Sequence, residues 1–375
     1  MRRAKIICTV GPASDGPDGI RSLIEAGMDV ARLNFSHGTH EEHARRLESI
    51  RAADRELGKA VGVLQDLCGP KVRTGDGGPA SLANGETIRL VSGMLGTDDT
   101  LAIDYERLTH SVAERDRILL SDGAIELSVE SVLRDAVICR VEHGGTLRPR
   151  TGVNLPSGKL ELAAITEKDK ADLEVGLEAG VDFVALSFVR SARDIAALRE
   201  LCAAASPSPR LVAKIETPAA VEEIEEIARA ADGVMVARGD LGVELPPAVV
   251  PPIQKHIIDT CRTLRRPVVV ATEMLQSMVH ASRPTRAEAS DVANAVFDGA
   301  DATMLSAETA VGEDPALACR TMARIITEAE ASPYAVPRPS PPSGKPPASI
   351  AKAACAIAQE IGARCIVALT QTGHT

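Results

Sequence analysis

A lysine and a glutamate stand two residues apart in the short apolar segment Leu211–Glu216. Positions i and i+2 of a β-strand project from the same face, so Lys214 and Glu216 are predicted to point the same way. A cation beside an anion suits a phosphate group bound next to a divalent metal ion. The alternative is a structural ion pair, because buried charges are normally paired. Polar residues elsewhere in the chain decide between the two, and they favour the phosphate and metal interpretation.

Further polar residues end other apolar segments of the chain. The set comprises Arg32, Asn34, Ser36 and His37, then Asp66, Lys71 and Arg73, then Gly239 and Asp240, then Thr272, and finally Ser306 and Glu308. Candidate donors for phosphate or carboxylate are Arg32, Arg73 and Lys214, with Lys71 as a further candidate. Glu216 and Asp240 offer two oxygen ligands to Mg²⁺, and Asn34, Ser36 and Asp66 form a second group of hard oxygen ligands. Gly239 would let the neighbouring backbone N–H groups approach a substrate carboxylate closely.

Each of these residues has a structural alternative when it is taken alone. An isolated arginine is usually a surface or salt-bridged residue, Asp66 could cap a turn, and His37 could be an ordinary loop residue. Thr272 is in phase with Val268 and Val270 and is predicted to point inward, although it could instead satisfy its own backbone. No role is assigned to Glu308. Burying so many charges without a ligand would cost several kcal/mol each, so a joint site is favoured.

Short β-branched segments alternate with amphipathic segments, which predicts βα units and a parallel sheet. The predicted strands are Lys5–Gly11, Asp29–His37, Ala60–Leu67, Phe183–Phe188, Arg210–Glu216, Gly233–Asp240, Pro267–Glu273 and Ala302–Glu308. Eight such units predict a (β/α)8 TIM barrel, whose active site lies at the carboxyl ends of the strands. An open doubly wound sheet is the alternative, but no Gly-x-Gly-x-x-Gly or Walker A motif supports it.

The alternation is interrupted after the third predicted strand. Gly-rich turns separate short strand-like segments between residues 71 and 164, and no helix is predicted there. These residues are predicted to form an inserted all-β lid domain, a small barrel or sandwich, with hinges at Gly69-Pro70 and Pro156-Ser157-Gly158. Residues 1–70 and 165–331 then form the catalytic barrel, with a helix start predicted at Thr166.

A Pro-rich linker is predicted over residues 332–347. A helix (Ala348–Ile361) and a strand (Cys365–Leu369) follow it. One helix and one strand cannot bury a core by themselves. Residues 348–375 are therefore predicted either to dock on the barrel or to form the start of an incomplete C-terminal α/β domain.

The composition excludes several function classes. Aromatic residues make up 2% of the 375 residues and the net charge is −10, which argues against nucleic-acid and anionic-membrane partners. Eight isolated cysteines without a C-x-x-C pair argue against a zinc site or a disulfide framework and fit a reducing compartment. No segment has the ~18 apolar residues of a membrane span, and the amino terminus does not resemble a signal peptide. We expect a soluble cytoplasmic protein.

These motifs together resemble the pyruvate kinase family, from residue 4 to the C-terminus and through the inserted segment. They are Lys-Ile-Ile-Cys-Thr-Val-Gly-Pro-Ala-Ser (5–14), Ala-Arg-Leu-Asn-Phe-Ser-His-Gly (31–38), Gly-Val-Asn-Leu-Pro (152–156), Ala-Lys-Ile-Glu (213–216), Met-Val-Ala-Arg-Gly-Asp-Leu-Gly-Val-Glu (235–244), Arg-Pro-Thr-Arg-Ala-Glu (283–288) and Asp-Val-Ala-Asn-Ala-Val (291–296). The resemblance implies the glycolytic transfer of the phosphoryl group of phosphoenolpyruvate to ADP, which gives pyruvate and ATP.

The resemblance also implies a role for each candidate residue. Arg32 and Lys214 would hold the phosphoryl group, and Lys214 would neutralise charge during transfer. Glu216 and Asp240 would bind the catalytic Mg²⁺ or Mn²⁺. The pyruvate carboxylate would be held by the Gly239–Asp240 backbone and Thr272, with Thr272 near the proton path to the enolate. The nucleotide phosphates would be faced by Asn34, His37 and Arg73. A potassium ion would be bound by Asn34, Ser36, Asp66 and Leu67. Members of the family form homotetramers, so a homo-oligomer is expected.

Some positions depart from the family pattern. Potassium-dependent members have a glutamate where this chain has Lys71, so we hypothesise that the Lys71 ammonium replaces K⁺. Glu273, Ala307 and Val311 stand where the family has Gln, Gly and often Lys, with no assigned effect. Residues 370–375 resemble only the start of the phosphate-binding loop in the family's C-terminal domain. Sugar-phosphate control is therefore not expected, and the tetramer is in question.

Two rival functions are compatible with the same residues. A magnesium-dependent pyruvate or oxaloacetate aldolase also uses a Glu/Asp metal pair and an arginine on a similar barrel, but such barrels normally lack a β domain inserted after the third strand. A truncated, catalytically weak ligand-binding protein is the second rival. A coupled assay for pyruvate and ATP separates these functions.

Overall fold

A computed structural model describes residues 2–156, 162–335, 346–363 and 365–367. The chain divides into two compact units, Met1–Ala335 and Val336–Thr375. None of the described helices is long and apolar enough to cross a lipid bilayer.

The first unit contains all the strands of the described residues. They are β1 (Lys5–Thr9), β2 (Val30–Asn34), β3 (Gly62–Asp66), β4 (Ser81–Leu82), β5 (Thr87–Ser92), β6 (Thr100–Ile103), β7 (Arg117–Leu120), β8 (Ile125–Val132), β9 (Val137–His143), β10 (Gly145–Thr146), β11 (Val153–Asn154), β12 (Phe183–Leu186), β13 (Arg210–Ile215), β14 (Gly233–Ala237), β15 (Val268–Ala271) and β16 (Ala302–Leu305).

Helices follow most of the barrel strands. They are α1 (Pro17–Ala26), α2 (His40–Leu57), α3 (Leu108–Ser111), α4 (Glu167–Glu178), α5 (Ala192–Leu201), α6 (Pro218–Glu222), α7 (Ile224–Ala230), α8 (Arg238–Glu244), α9 (Val250–Leu264), α10 (Arg286–Asp298), α11 (Ala307–Ala310), α12 (Pro315–Ala331) and, in the second unit, α13 (Pro346–Glu360), with 3-10 turns at Pro247–Val249 and Gln276–Val279. A capping box at Thr166, completed by Asp169, starts α4 at the predicted position.

Eight parallel strands close into a barrel in the order β1, β16, β15, β14, β13, β12, β3, β2. This closed barrel confirms the predicted fold class and excludes the open sheet. Successive residues alternate between two apolar layers, as the period of a strand requires. One layer fills the barrel interior and includes Ile7, Leu64 and Val212. The other packs the outer faces of the strands against the helices. The interior phase decides which polar residues reach the carboxyl end of the barrel.

Strands β4–β11 lie between β3 and α4. Six of them form a sheet in the order β11, β7, β8, β9, β5, β6, and β4 pairs with β10. Single bridges from Arg73 to Gly152 and from Thr74 to Ile103 link the two edges of the six-stranded sheet. These strands share an apolar core of their own. The segment also contains the one-turn helix α3, which was not predicted because one turn is too short to show a helical period.

In the second unit, α13 covers most of the helix predicted over 348–361. Residues 365–367 are not part of a strand, which contradicts the start of the predicted strand Cys365–Leu369. The rest of that strand, most of the Pro-rich linker (336–345), part of the predicted second hinge (157 and 158) and the final residues 370–375 lie outside the described residues.

Candidate active site

A cavity of 510 Å³ opens at the carboxyl end of the barrel and faces β4–β11. Its lining joins residues in or after β2, β3, β12, β13 and β14 to residues between the inserted strands. The predicted residues in the lining are Arg32, Asn34, Ser36, His37, Lys71, Arg73, Lys214, Glu216 and Asp240, and they are joined by Cys68, Ser121, Asp122, Arg148, Arg150, Ser187 and Phe188 among others. The structure therefore brings most of the predicted site together.

A buried chain of alternating charges lies at the base of this cavity. Arg32 Nε donates to Asp66 Oδ2 at 2.7 Å. Lys214 Nζ lies 3.2 Å from Asp66 Oδ1 and 2.9 Å from Glu216 Oε1. Lys214 is 8% exposed, and Asp66 and Glu216 are each 1% exposed. The direct Lys214–Glu216 ion pair, the less favoured alternative from the sequence, is thus present, and Asp66 is the anion shared by the two cations.

Two neutral side chains that were not predicted complete this arrangement. Thr9 Oγ1 accepts a hydrogen bond from Arg32 Nη1 at 2.9 Å. Ser187 Oγ accepts one from Lys214 Nζ at 2.7 Å and donates one to the Leu67 carbonyl, also at 2.7 Å. Thr9 is two residues after the inward-facing Ile7, and Ser187 directly follows β12. Both therefore lie at strand ends, as the charged residues do, but their ordinary residue types gave no reason to select them from the sequence.

The charge chain shifts the pKa values of its members. Burial by itself would raise the pKa of Asp66, but Lys214 and Arg32 outweigh it and hold that pKa below its usual range. Burial would likewise lower the pKa of Lys214, but Asp66 and Glu216 raise it well above normal. Burial raises the pKa of Glu216 to about 7, with Lys214 opposing the shift and Asp240 adding to it. Lys214 is therefore a permanent cation, whereas Glu216 titrates near neutrality.

Asp240 and Gly239 lie in the first turn of α8, not at the end of a strand as predicted. Strand β14 ends at Ala237 and not at Asp240, where the predicted strand ended. Gly239 N donates to Thr272 Oγ1 at 2.7 Å. A β-carbon at Gly239 would lie 3.5 Å from the Thr272 side chain, an ordinary van der Waals distance, so this contact does not by itself require a glycine.

The inward direction of Thr272 was predicted from the wrong phase. Val268 and Val270 pack against the helices, and it is Val269 and Ala271 that face the barrel interior. Thr272 reaches Gly239 because its own φ of +71° turns the chain out of the strand. This conformation is unfavourable for a β-branched residue. Arg238 supports it by donating to the Thr272 carbonyl at 2.8 Å while pairing with Asp291 at 2.7 Å.

The residues predicted for the nucleotide and monovalent cation have weaker mutual contacts. Asn34 Oδ1 accepts from Ser36 N at 3.2 Å, and Arg73 Nη1 donates to the Arg150 carbonyl at 3.1 Å. Lys71 Nζ lies 3.7 Å from Asp122 Oδ1, a long contact with an exposed carboxylate. The Lys71 ammonium therefore lines the cavity without being tightly bound.

A divalent metal ion would find two carboxylates on the barrel side of this cavity, Glu216 and Asp240, and not a complete cage. No group of three or more His, Cys, Asp and Glu side chains in metal-binding proximity occurs in the part of the chain that the structure describes. Glu216 and Asp240 line the same cavity, and Asp240 adds to the upward shift in the Glu216 pKa. Two carboxylates, with water and substrate oxygens in the remaining positions, match the usual binding mode of Mg²⁺.

The structure also gives Glu308 a role. Its carboxylate is fully buried and accepts hydrogen bonds from Leu275 N at 3.0 Å and Ser306 N at 2.7 Å. Glu308 therefore fixes two loops, and within the described residues the buried Ser306 hydroxyl has no hydrogen-bond partner. Glu273 has a φ of +54° and Val311 is exposed, and neither observation explains a change in substrate affinity.

The chain is similar to known pyruvate kinases in sequence and structure. A family profile described as the pyruvate kinase barrel domain matches residues 1–319. A pyruvate kinase of Mycobacterium tuberculosis is 47% identical over 377 residues, which cover 100% of this chain and 80% of that protein. One of Geobacillus stearothermophilus is 49% identical over 335 residues, 88% of this chain and 57% of that protein.

Solved structures lead to the same family. The crystal structure of a pyruvate kinase from Cryptosporidium parvum superimposes with a TM-score of 0.92 at 37% identity, covering 99% of this chain and 79% of that one. The barrel, its charged carboxyl end and these similarities agree with one another. The chain belongs to the pyruvate kinase family.

Proposed function

We propose that this protein transfers the phosphoryl group of phosphoenolpyruvate to ADP, giving pyruvate and ATP. The single observation that carries the proposal is the buried chain Arg32–Asp66–Lys214–Glu216 at the base of an open polar cavity. Buried ionic groups cost several kcal/mol in desolvation. Arg32, Lys214 and Glu216 line the cavity, where an anionic substrate and a metal ion would be partners for their charges. Membership of the family indicates which reaction this is.

Arg32 and Lys214 are the proposed phosphoryl ligands. Asp66 and Thr9 restrain the Arg32 guanidinium, and Ser187 and Asp66 restrain the Lys214 ammonium. Phosphoryl transfer is accelerated mainly by fixed charges placed where negative charge moves. Two oriented cations satisfy this requirement, and the high pKa of Lys214 keeps its charge through the reaction.

Glu216 and Asp240 are the proposed ligands of Mg²⁺ or Mn²⁺. When bound, the ion neutralises phosphoryl charge and polarises the substrate oxygens. Glu216 is oriented for this by Phe188 N, which donates to Oε2 at 2.7 Å. Glu216 Oε1 lies 2.9 Å from Lys214 Nζ, so the proposed metal ligand and the proposed phosphoryl ligand are direct neighbours.

The backbone around Gly239 and Asp240, together with Thr272, is proposed to hold the carboxylate of the three-carbon substrate. Gly239 N donates to the Thr272 hydroxyl, which in turn donates to the Ala271 carbonyl at 2.6 Å. These two donors lie next to each other beside Asp240, which lines the cavity, and a bound carboxylate would have to take over their hydrogen bonds. Thr272 is also the proposed group on the proton path to the enolate.

Asn34, His37 and Arg73 are proposed to face the nucleotide phosphates, and they line the cavity wall shared with the inserted strands. Asn34, Ser36, Asp66 and Leu67 form the proposed monovalent cation site. We propose further that Lys71 supplies the positive charge in place of K⁺. Its ammonium lines the same cavity, and its contact with Asp122 is long enough to be given up.

The decisive experiment is a coupled assay of the purified protein with phosphoenolpyruvate, ADP and Mg²⁺, following pyruvate and ATP together. Equal formation of both products is expected. Absence of both products, together with cleavage of oxaloacetate or another 2-oxo acid supplied in a separate reaction, would instead indicate an aldolase, which the strands inserted between β3 and α4 disfavour. A cytoplasmic location and a homotetrameric assembly are further proposals from the family; native mass spectrometry tests the assembly.

A further inference from the structure

The segment that follows β2 carries three of the proposed ligand-binding residues. Asn34, Ser36 and His37 lie in or directly after the last position of the strand, where the ladder of strand hydrogen bonds ends. Phe35 N still donates to the Asp66 carbonyl at 3.0 Å, and His37 N donates to the Asn34 carbonyl at 3.3 Å. Such a short turn needs additional restraint if its side chains are to hold a fixed geometry.

His43, on the first turns of α2, supplies two restraints at once. Its ring stacks on Phe35 with centroids 4.0 Å apart and planes 13° apart. Its Nε2 lies 2.9 Å from the His37 carbonyl oxygen. A carbonyl can only accept, so Nε2 must carry the hydrogen.

The other ring nitrogen identifies the tautomer. His43 is 3% exposed, and its Nδ1 has no hydrogen-bond partner in the described part of the chain. A ring with hydrogen on both nitrogens would bury an unpaired donor, so the neutral ring with hydrogen on Nε2 is favoured. Burial also lowers the pKa of His43, opposed by the bond to the His37 carbonyl.

Packing alone does not account for a histidine at this place. A phenylalanine would stack on Phe35 equally well and would leave no buried nitrogen unpaired, which costs about 1–3 kcal/mol. What histidine adds is the N–H group directed at the His37 carbonyl. Lys168 makes the complementary contact from α4, donating to the Phe35 carbonyl at 2.8 Å. The Phe35 and His37 carbonyls are thus hydrogen-bonded to two different helices, α4 and α2.

We propose that His43 is a positioning residue for the nucleotide subsite, holding the 34–37 segment through the Phe35 ring and the His37 carbonyl. The inference rests on the proposed function, because it assigns the 34–37 segment to the nucleotide. His43 does not line the cavity, so its effect on the substrate is exerted through His37 and its neighbours.

The test compares three variants by steady-state kinetics in both substrates. His43→Phe keeps the stack and removes the N–H donor, and His43→Gln places an amide N–H near the position of Nε2. His256→Phe makes the same change at an exposed histidine of α9. We expect the KM for ADP to rise roughly five- to tenfold in His43→Phe, as one lost hydrogen bond allows, while the KM for phosphoenolpyruvate changes less than about twofold. His43→Gln should recover most of the ADP affinity, and His256→Phe should match the wild type.

Two results would overturn the inference. One is an unchanged KM for ADP in His43→Phe; the other is a fall in kcat alone with a lower melting temperature, which is the pattern of a packing residue. A second measurement needs neither turnover nor a variant that folds well. Ring ¹⁵N shifts of the wild-type protein should show His43 neutral with hydrogen on Nε2, and a charged ring or hydrogen on Nδ1 would refute the assignment even if the protein made no pyruvate. Absence of pyruvate formation by the wild type would refute the proposed function separately.

Discussion

Lys214 Nζ lies 2.9 Å from Glu216 Oε1, and the two side chains form a direct ion pair. Lys214 lies in β13 and Glu216 directly follows it. Each is also held from another side, Lys214 by Asp66 and Glu216 by Phe188 N. The pair therefore neutralises two charges that ligands are proposed to bind separately. A metal ion at Glu216 and a phosphoryl group at Lys214 would replace one ion pair by two new ones without leaving either charge unpaired.

Replacing Lys214 by methionine should reduce kcat by about 10²–10³-fold or more, because a fixed charge at the moving phosphoryl group is lost. Glu216 would keep its hydrogen bond from Phe188 N, so the variant should still bind the divalent ion. Mn²⁺ titration followed by electron paramagnetic resonance measures this binding. Turnover close to the wild-type rate would refute the proposed role of Lys214.

The same variant should also be less stable without metal, since it leaves Glu216 and Asp66 buried beside one fewer cation. Thermal melts with and without Mg²⁺ test this consequence. We expect the added ion to recover part of the lost melting temperature. A variant as stable as the wild type in the absence of metal would contradict the importance of the ion pair.

Magnesium should stabilise the protein more at pH 8 than at pH 6. Burial raises the pKa of Glu216 from 4.5 to about 7, so in the metal-free protein the stability from this group is complete below about pH 4.5 and is lost as the pH rises through 7. A bound cation needs the carboxylate form, and it removes this loss at high pH. Melting temperatures with and without MgCl₂ across pH 6–8 give the result.

Glu216→Gln is the matched control for this pH dependence. Glutamine keeps the shape of the side chain but does not titrate, so the Mg²⁺-induced shift in melting temperature should be small and nearly independent of pH. A steep pH dependence that persists in this variant would assign the effect to another group.

Replacing Thr272 by valine should lower kcat/KM for phosphoenolpyruvate about 10- to 100-fold, because Gly239 N loses its acceptor and the carboxylate site loses a hydroxyl. Valine retains the β-branch and therefore the strain of the positive φ. Thr272→Ser keeps the hydroxyl and should stay within about threefold of wild type. Equal activities of the valine and serine variants would show that the hydroxyl is not needed.

The features that follow from a regular period were predictable from the sequence. Strand alternation placed Lys214, Glu216, Arg32 and Asp66 on the inner face of the barrel, because residues i and i+2 share a face wherever the strand is regular. The same rule failed for Thr272, where two consecutive residues with positive φ end the regular period. Backbone conformations of this kind are held by tertiary contacts, here those of Arg238.

Neutral partners were harder to predict than charged ones. Ser187 and Thr9 have ordinary residue types, and only the neighbouring charges make them part of the site. Glu308 stood out because of its charge, yet its hydrogen bonds go to backbone N–H groups of two loops. Sequence spacing says which face a side chain occupies, but not which loop will fold against it.

Lys71 gives the last prediction, which concerns the monovalent cation. If its ammonium supplies the positive charge of the proposed cation site, the wild-type enzyme should be active in buffer free of K⁺ and Na⁺. Lys71→Glu should lose most of this activity and regain it when K⁺ is added, because a carboxylate needs a cation where an ammonium does not. The assay measures activity against the K⁺ concentration for both proteins, with an organic cation that keeps the ionic strength constant.

The ion pair of Lys71 with Asp122 offers the control for this change. Asp122 lies in the inserted strands, 3.7 Å from Lys71 Nζ, and its carboxylate is exposed. Asp122→Asn removes the partner without reversing the charge of Lys71, so it should leave the activity independent of K⁺. A wild-type enzyme that is active only after K⁺ is added would exclude the replacement, since a fixed ammonium in the site would make the added ion superfluous.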